Sequence, residues 1–311
     1  MKKFMNLKIK SKQFNMSILI FIALFSLIGC NKIEDNSSKK DTNKKTETQY
    51  STDFAKLESN YGVKLGVYVF NAETNKKIAY NADERFAYCS TFKALAAGAI
   101  LEKYSIEDLK QVVNFTQKDI VSHSPVSKDK ITTGMTIEEI CDAAVRQSDN
   151  TAANLLFDLL DGPSGFKTNL NKLGDSVTEP ARKETELNDA IPGDIRDTST
   201  PKQLAIDLKE YTSGKALTED KKKILIDWMS NNTTGDKLIR AGAPKDWVVA
   251  DKSGAGSYGT RNDIAIVTPP NKKPIFVAVL SKKNEKDADY DNKVIEETSK
   301  IIFDYIQNEK Q

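Results

Sequence analysis

The chain has 311 residues, of which 39% are hydrophobic and 29% are charged, a composition that suits a globular protein with one large or two smaller cores. Its 46 basic and 44 acidic residues leave a net charge of +2, and the two signs are interspersed along the sequence. Because the Lys and Arg residues are not concentrated in one basic patch, nucleic-acid binding is not expected.

The first 29 residues are predicted to be a targeting segment that is not part of the fold. A lysine-rich start precedes an apolar run at residues 16–29, which at about 14 residues is shorter than a bilayer span. The run ends in LIGC at residues 27–30, which resembles a bacterial lipoprotein signal with Cys30 as the lipidated first residue of the mature protein. The alternative is an ordinary cleaved signal peptide with an incidental cysteine. We therefore expect export and a lipid anchor in the bacterial cell membrane.

The segment after Cys30 is almost entirely polar and charged as far as residue 50. It offers too little apolar surface to order itself, so residues 30–50 are predicted to form a lipidated, flexible tether. The folded part then begins with a short predicted helix at residues 53–60.

A β-hairpin and a largely helical stretch come next. The hairpin consists of strands at residues 64–70 and 77–80, joined by the turn-rich residues 71–75. Further along, Thr136 and Glu139 form a capping-box pattern that opens an amphipathic helix.

An apolar helix is predicted at residues 151–160, where Asp-Gly-Pro at residues 161–163 ends it. Three strand signals and a closing helix occupy the last part of the chain: residues 247–250, 264–267 and 275–280, and then 293–311. Strands at both ends with helices between them predict one sheet assembled from both ends of the folded part, with a helical domain inserted.

Four short motifs occur in a fixed order along the chain: Ser90-Thr-Phe-Lys93, Ser148-Asp-Asn150, Glu184-Thr-Glu-Leu-Asn188 and Lys252-Ser-Gly254. Together they supply a nucleophilic serine, two lysines, a second hydroxyl, an amide and a carboxylate. These groups can open an acyl ring and then release the acyl group to water. The Ser-x-x-Lys spacing recurs elsewhere in this lysine-rich chain, so the prediction depends on order and spacing.

Each motif also has a structural interpretation. Ser90 and Lys93 would share a helix face, with free N–H groups at the helix start for an oxyanion, or they are a helix cap and a solvated lysine. Ser148 could relay a proton and Asn150 bind a substrate amide, or the pair is a polar turn between helices. Residues 252–254 follow a predicted strand and could hold an anionic group, or they are an ordinary strand end.

The four motifs resemble those of the class A serine β-lactamases, which share several with penicillin-binding proteins. The resemblance extends from about residue 51 to the C-terminus and includes further segments at residues 182–188, 196–198, 233–236 and 252–256. It implies an α/β fold with a five-stranded antiparallel sheet, flanked by terminal helices. An all-helical domain is inserted, and the active site lies between the two parts. The α/β domain would comprise residues 51–87 and 231–311, and the helical domain residues 88–230.

The same resemblance assigns the catalytic roles. Ser90 would attack the lactam carbonyl and form an acyl-enzyme, with the backbone N–H groups of Ser90 and Ala255 as the oxyanion hole. Lys93 and Glu184 are both candidates for the acylation base. Glu184, helped by Asn188, would position and deprotonate the deacylating water.

The resemblance also assigns substrate contacts and a loop. Lys252, Ser253 and Arg261 would receive the substrate carboxylate. Arg182 and Asp197 would form the ion pair that closes an Ω-loop at residues 182–197.

The cysteines and the single histidine limit other chemistries. One histidine, His123, makes a histidine-rich zinc site and a Ser-His-Asp hydrolase improbable, and no metal or cofactor is expected. By the resemblance, Cys141 and Cys89 occupy halves of two family disulfides whose partner positions hold Ala97 and Gly256. Both thiols are therefore expected to be free. His123 stands at the site entrance, either stacking on substrate or solvated.

The implied function is hydrolysis of penicillins and some cephalosporins by a monomeric enzyme that gives antibiotic resistance. The alternative is a penicillin-binding protein with DD-peptidase activity, which would not need Glu184. A non-catalytic, lipid-anchored binding module is the third possibility. The segment from Glu184 to Asn188 favours the lactamase.

Overall fold

The computed structural model describes the backbone of residues 36–308 and the side chains of residues 49–308. The chain divides into two units, Met1–Asp41 and Thr42–Gln311. Of the first unit, only helical backbone at residues 36–41 is described. The predicted signal segment and the lipidation site Cys30 lie outside the described residues.

The first helix, α1 (Asn36–Tyr61), is longer than the sequence predicts. Residues 36–50, which belong to the predicted tether, have helical backbone in α1. An α-helix is closed by its own local backbone hydrogen bonds, so a polar segment can be helical without burying apolar surface. The rings of Tyr50 and Phe54 are buried and lie 5.9 Å apart, which places the end of the predicted tether within the folded part.

The strands, in chain order, are β1 (Lys64–Asn71), β2 (Lys77–Tyr80), β3 (Phe86–Ala87), β4 (Val112–Val113), β5 (Met135–Thr136), β6 (Thr198–Ser199), β7 (Val248–Gly256), β8 (Thr260–Thr268) and β9 (Ile275–Lys282). Five of them form one antiparallel sheet in the order β2-β1-β9-β8-β7. Strand β9 lies beside β1, so the predicted joining of both chain ends in a single sheet is confirmed. Strands β3 and β6 form a small separate pair, and so do β4 and β5.

The remaining helices are α2 (Phe92–Lys103), α3 (Ile137–Arg146), α4 (Asn150–Leu159), α5 (Gly162–Lys172), α6 (Pro201–Ser213), α7 (Glu219–Ser230), α8 (Ile239–Gly242) and α9 (Asn292–Asn308). The predicted capping box opens α3, since both the Thr136 and the Glu139 side chains bond to backbone N–H groups. The Asp-Gly-Pro segment that ends α4 also begins α5, with Asp161 in the left-handed region and Pro163 in the first turn.

Alternating side chains of the sheet enter two hydrophobic cores. In β9, Phe276 and Leu280 face a core shared with helices α2 to α7, whereas Val277 and Val279 face a core shared with α1, α8 and α9. Every residue of β9 from Ile275 to Ser281 is buried, as expected for a strand covered on both faces. The predicted fold class is confirmed: a five-stranded sheet with helices on both sides.

Among residues 36–308, no helix is both long enough and apolar enough to cross a membrane.

Candidate active site

Ser90 lies in a 3₁₀ turn, Cys89–Thr91, that leads directly into α2 at Phe92. The turn packs tightly against β7: a Cβ added to Gly254 would lie 3.0 Å from the Tyr88 carbonyl oxygen. Glycine at this position allows the strand backbone to approach the nucleophile turn. The start of α2 and the edge strand of the sheet therefore meet at Ser90.

The side chain of Lys93 is fully buried one helical turn after Ser90. Its Nζ donates to the Ser148 carbonyl oxygen at 2.8 Å and to Asn150 Oδ1 at 2.6 Å. It also forms an ion pair with Glu184 Oε1 at 3.0 Å. Burial lowers the pKa of Lys93, and the Glu184 carboxylate opposes that shift. The interpretation of Lys93 as a solvated lysine is therefore wrong.

Glu184 is held in place through both its backbone and its carboxylate. Oε1 accepts from Ser90 Oγ at 3.3 Å, and Oε2 accepts from Asn188 Nδ2 at 2.5 Å. The Asn154 side-chain amide makes two hydrogen bonds to the Glu184 backbone. Its Nδ2 donates to the Glu184 carbonyl at 2.9 Å, and its Oδ1 accepts from the Glu184 N–H at 2.8 Å. The peptide bond from Glu184 to Thr185 is cis.

Ser148 lies between α3 and α4, with a backbone φ of 54°. Its Oγ accepts from Lys252 Nζ at 3.1 Å and from Lys93 Nζ at 3.4 Å, so one hydroxyl lies between two lysines. The next residue, Asp149, caps α4 and accepts from Ser127 Oγ at 2.7 Å. The segment is thus both a helix cap and a site that presents a hydroxyl to two cations.

Asn150 links the site to the loop that carries His123. The Asn150 N–H donates to the His123 carbonyl at 3.0 Å, and Nδ2 donates to the Ser122 carbonyl at 2.9 Å. A second Nδ2 proton is left for a substrate. The His123 ring is exposed and its Nε2 lies 3.2 Å from the Gln147 carbonyl oxygen.

Residues 252–254 lie inside β7, and the prediction that they follow the strand is wrong. Pairing with β8 continues as far as Gly256, which supplies the ladder that the local sequence does not signal. Lys252 Nζ donates to the Ser253 carbonyl at 2.9 Å. Ser253 Oγ lies 2.6 Å from Thr234 Oγ1, and this hydrogen bond fixes the Ser253 hydroxyl at the edge of the sheet.

Arg261 lies directly opposite Ala255 in the β7–β8 register. Its Nη1 donates to the Gly254 carbonyl at 3.3 Å, its Nε donates to Asn292 Oδ1 at 2.8 Å, and the guanidinium lies 4.8 Å from the Tyr290 ring centre. The side chain is thus held beside the oxyanion-hole candidate on the edge strand.

Three buried cations give the site its electrostatic character: Lys93, Lys252 and Arg261. Burial, and then the charge of Lys93, lower the pKa of Lys252 to about 7, although Asp251 and Asp263 act in the opposite direction. Burial also lowers the pKa of Arg261. Cations removed from water attract an anion strongly, so the site is suited to a carboxylate.

The ion pair of Arg182 and Asp197 is buried. Asp197 has a fully buried side chain, and its Oδ2 accepts from Arg182 Nε at 2.5 Å. Its Oδ1 accepts from the N–H groups of Ala181 at 2.8 Å and Arg182 at 2.9 Å, and from the Tyr88 hydroxyl at 3.2 Å. Both ends of the predicted Ω-loop are therefore joined through one carboxylate.

Cys89 and Cys141 are free and fully buried. Burial raises the pKa of both thiols, which makes them poor nucleophiles. A Cβ added to Gly256 would lie 2.8 Å from Cys89 Sγ, so the two positions adjoin. In the part of the chain that the structure describes, no group of three or more His, Cys, Asp or Glu side chains could hold a metal ion.

The structure brings the predicted catalytic residues Lys93 and Ser148 together with Ser90 and Glu184. Sequence reasoning missed Asn154 and Tyr88, and it included Thr234 in the segment 233–236 without giving it a role. Asn154 lies one helical turn after Asn150 on α4, a spacing that could have indicated it. The long-range partners of Tyr88 have no local signal.

The comparisons with known proteins agree with this geometry. A model of the Beta-lactamase enzyme family matches residues 49–306. The β-lactamase of Bacillus subtilis (strain 168) is 54% identical over 272 residues, which cover 87% of this chain and 86% of that protein. A crystal structure of a class A β-lactamase from Clostridium kluyveri DSM 555 is 65% identical, with a TM-score of 0.83 over 84% of this chain and 99% of that chain. The β-lactamase from Streptomyces albus G is 36% identical, with a TM-score of 0.80 over 82% of this chain and 98% of that chain.

Proposed function

The chain belongs to the class A β-lactamase family, and from that premise we propose how its own residues carry out the reaction. Its activity is hydrolysis of the β-lactam ring, which gives resistance to these antibiotics. We assign Ser90 as the nucleophile of an acyl-enzyme mechanism. The observation that supports this most is the position of Glu184 Oε1, at 3.3 Å from Ser90 Oγ and 3.0 Å from Lys93 Nζ.

In acylation, Ser90 Oγ bonds to the lactam carbonyl carbon, and the ring C–N bond breaks. The Ser90 proton passes to Glu184, to which the hydroxyl already donates, or to Lys93, whose ammonium is destabilised by burial. Ser148 donates the proton that the ring nitrogen needs, and its Oγ regains a proton from Lys252 or Lys93, whose Nζ atoms donate to it at 3.1 and 3.4 Å. The N–H groups of Ser90 and Ala255 stabilise the oxyanion, at about 10²–10³-fold in rate per donor.

In deacylation, Glu184 takes a proton from a water molecule whose oxygen attacks the acyl carbon. The bond from that carbon to Ser90 Oγ then breaks, and Glu184 returns the proton to Ser90 Oγ. Asn188 donates to one carboxylate oxygen of Glu184, which leaves the other oxygen to act as the base. The two hydrogen bonds from Asn154 to the Glu184 backbone fix the Glu184 carboxylate relative to Ser90. This arrangement distinguishes a hydrolase from an acyl-enzyme trap.

Substrate binding is assigned to the β7 side of the site. Lys252, Ser253 and Arg261 receive the substrate carboxylate at the positively charged end, and Asn150 donates to the side-chain amide of the antibiotic. Penicillins and many cephalosporins carry both groups.

The proposed spectrum is good hydrolysis of penicillins, moderate hydrolysis of narrow cephalosporins and poor turnover of carbapenems and bulky oxyimino-cephalosporins. Gly256 lies next to Cys89 and has no thiol, so no disulfide joins these two positions beside the site. A carbapenem's hydroxyethyl group can disturb the water beside Glu184, and a barrier about 1.4 kcal/mol higher slows deacylation tenfold.

We further propose that the enzyme is a monomer exported with a lipid anchor at Cys30. We also propose two functional parts, residues 51–87 with 231–311 and residues 88–230, on either side of the site. The support for the anchor is the LIGC sequence at residues 27–30.

Turnover of a chromogenic cephalosporin tests the proposal against its rivals. The enzyme is expected to complete many turnovers, whereas a penicillin-binding protein would give one burst and a binding module none. A single burst without further product would contradict the deacylation role of Glu184. A panel with benzylpenicillin and a carbapenem tests the spectrum, which is wrong if both are hydrolysed at comparable rates.

A further inference from the structure

Two carboxyl groups outside the active site are buried where the Ω-loop joins the rest of the fold. Asp175 lies in the segment that leads into the loop and is 2% exposed. Asp207 lies in α6, the helix that follows the loop, and is fully buried. Neither residue has a role in the chemistry assigned to Ser90 and Glu184.

Each carboxyl group uses only one of its oxygens. Asp175 Oδ1 accepts from the N–H groups of Val177 at 2.6 Å and Thr178 at 3.0 Å, and Asp207 Oδ1 accepts from Gln203 Nε2 at 2.8 Å. The Oδ2 atom of each aspartate is buried without a hydrogen-bond partner among residues 49–308. The Thr178 N–H that binds Asp175 belongs to a residue whose Oγ1 contacts Ser199, just before α6, and Asp175 acts on Asp207 as a charged, hydrogen-bonding neighbour. One proton placed between them would satisfy both remaining oxygens, whereas two bare carboxylates would repel each other.

The pair adjoins the contacts that close the base of the loop. Thr178 Oγ1 lies 2.7 Å from Ser199 Oγ, and the Glu179 N–H donates to the Thr198 carbonyl at 3.0 Å. The Asp197 N–H donates in turn to the Glu179 carbonyl at 2.6 Å. Because Asp175 fixes Thr178, a link from Asp175 to α6 holds the incoming and outgoing segments together.

We propose that Asp175 and Asp207 share a single proton, and that this shared proton holds the base of the Ω-loop and so positions Glu184 against Ser90. The effect on Glu184 rests on the proposed function. The shared proton does not, so the two claims can fail separately.

The surroundings of Asp207 keep the proton bound in the folded state. Burial and the negative charge of Asp175 raise the pKa of Asp207, and Glu210 adds to that shift, while the bond from Gln203 opposes it. Tyr211 remains uncharged, because burial and then Glu102 and Asp207 raise its pKa.

The sign of the pH dependence follows from this shift. Between the ordinary carboxyl range and the raised value, the folded protein binds one more proton than the unfolded chain. Stability therefore falls as pH rises, by at most about tenfold in the folding equilibrium per pH unit from this one proton.

Two substitutions separate a shared proton from simple packing. Asp207→Asn keeps the shape and can donate permanently from Nδ2 to Asp175 Oδ2, but it cannot ionise. Asp207→Ala leaves Asp175 Oδ2 without a donor.

Urea unfolding of the full chain is measured for both variants and the wild type from acidic to alkaline pH. The Asn variant is expected to have a flatter pH dependence than the wild type and to be at least as stable at alkaline pH. The Ala variant is expected to be destabilised throughout.

The control is Asp304→Asn, which removes one exposed charge from α9 and is expected to leave the pH dependence unchanged. Single-turnover deacylation of a penicillin acyl-enzyme is the positioning readout: the wild type is expected to slow at alkaline pH relative to the Asn variant. An Asn variant with the wild-type pH dependence, or one as unstable as the Ala variant, would overturn the shared proton. If stability responds as expected but deacylation does not, the positioning of Glu184 is overturned and the shared proton stands.

Discussion

At the scale of single residues, the site depends on one carboxylate that serves two partners. Glu184 Oε1 accepts from Ser90 and pairs with Lys93, so its negative charge also sets the protonation of the lysine. Burial lowers the pKa of Lys93, and Glu184 raises it. Removing the carboxylate therefore lowers the lysine pKa further, so more of Lys93 is in the neutral form that can accept the Ser90 proton.

We expect Glu184→Ala to form the acyl-enzyme with a good penicillin and then to accumulate it, because Lys93 can still activate Ser90 but nothing replaces the base for the water. Intact-protein mass spectrometry after brief exposure measures the adduct. Ser90→Ala is the control and should show none. Rapid loss of the adduct from the Glu184 variant would remove our assignment of the deacylation base.

A second expectation concerns the pH dependence of substrate capture. The pKa of Lys252 is lowered to about 7, so this lysine is charged below that pH and becomes neutral above it. Capture of an anionic penicillin, measured as kcat/KM, should therefore decline as pH rises through neutrality. Lys252→Arg keeps the charge because a guanidinium does not deprotonate in this range, and its profile should lack that decline. Identical profiles for the two enzymes would show that Lys252 does not titrate there.

At the scale of elements, the turn before α2 and the Ω-loop are joined by Tyr88. Its backbone N–H donates to the Asp197 carbonyl at 3.1 Å, and its hydroxyl donates to Asp197 Oδ1 at 3.2 Å. Burial and the neighbouring Asp197 raise the pKa of the Tyr88 hydroxyl, so it stays a donor. Tyr88 thus links the turn that carries the nucleophile to the loop through both its backbone and its side chain.

Tyr88→Phe removes that hydroxyl and keeps the ring beside Phe92, 5.7 Å away. We expect the free energy of unfolding to fall by about 1.5 kcal/mol, since the lost bond is to a carboxylate. In stopped-flow kinetics, the substitution should slow deacylation more than it slows acylation. The matched control is Tyr305→Phe, whose hydroxyl donates to Asp53 at 3.0 Å. That variant should leave deacylation unchanged, and an equal effect from both would contradict a specific role for Tyr88.

At the scale of the whole molecule, the sheet separates two hydrophobic cores, and the site lies at its β7 edge. Helix α1 belongs to the core away from the site, through Tyr50 and Phe54. The proposed lipid anchor at Cys30 precedes that helix in sequence, so membrane attachment does not require any catalytic residue.

Cys30→Ser should therefore move β-lactamase activity from the membrane fraction to the soluble fraction, or leave an unprocessed precursor, with unchanged specific activity. A single lipidated residue is the only anchor left after signal cleavage in this proposal. Asn31→Ser is the neighbouring control and should stay with the membranes. Unchanged partitioning of the Cys30 variant would contradict the lipoprotein assignment.

The sequence by itself determined the family, the order of the catalytic motifs and part of the secondary structure. Strands β1, β2, β8 and β9, and the capping box of α3, follow from hydrophobic periodicity and local capping, which are properties of neighbouring residues. The ordered serine, lysine, amide and glutamate motifs carried the chemistry for the same reason: each is a short run of adjacent residues.

Only the tertiary structure decided which distant groups touch. Tyr88 and Asp197 are 109 residues apart, and the pairing that extends β7 through Lys252 comes from β8, a neighbour that the local sequence does not show. The shared environment of Asp175 and Asp207 likewise arises because the segment before the loop contacts the residues that lead into α6. Burial and pairing of charged groups depend on what lies across space, and a local pattern contains no information on that.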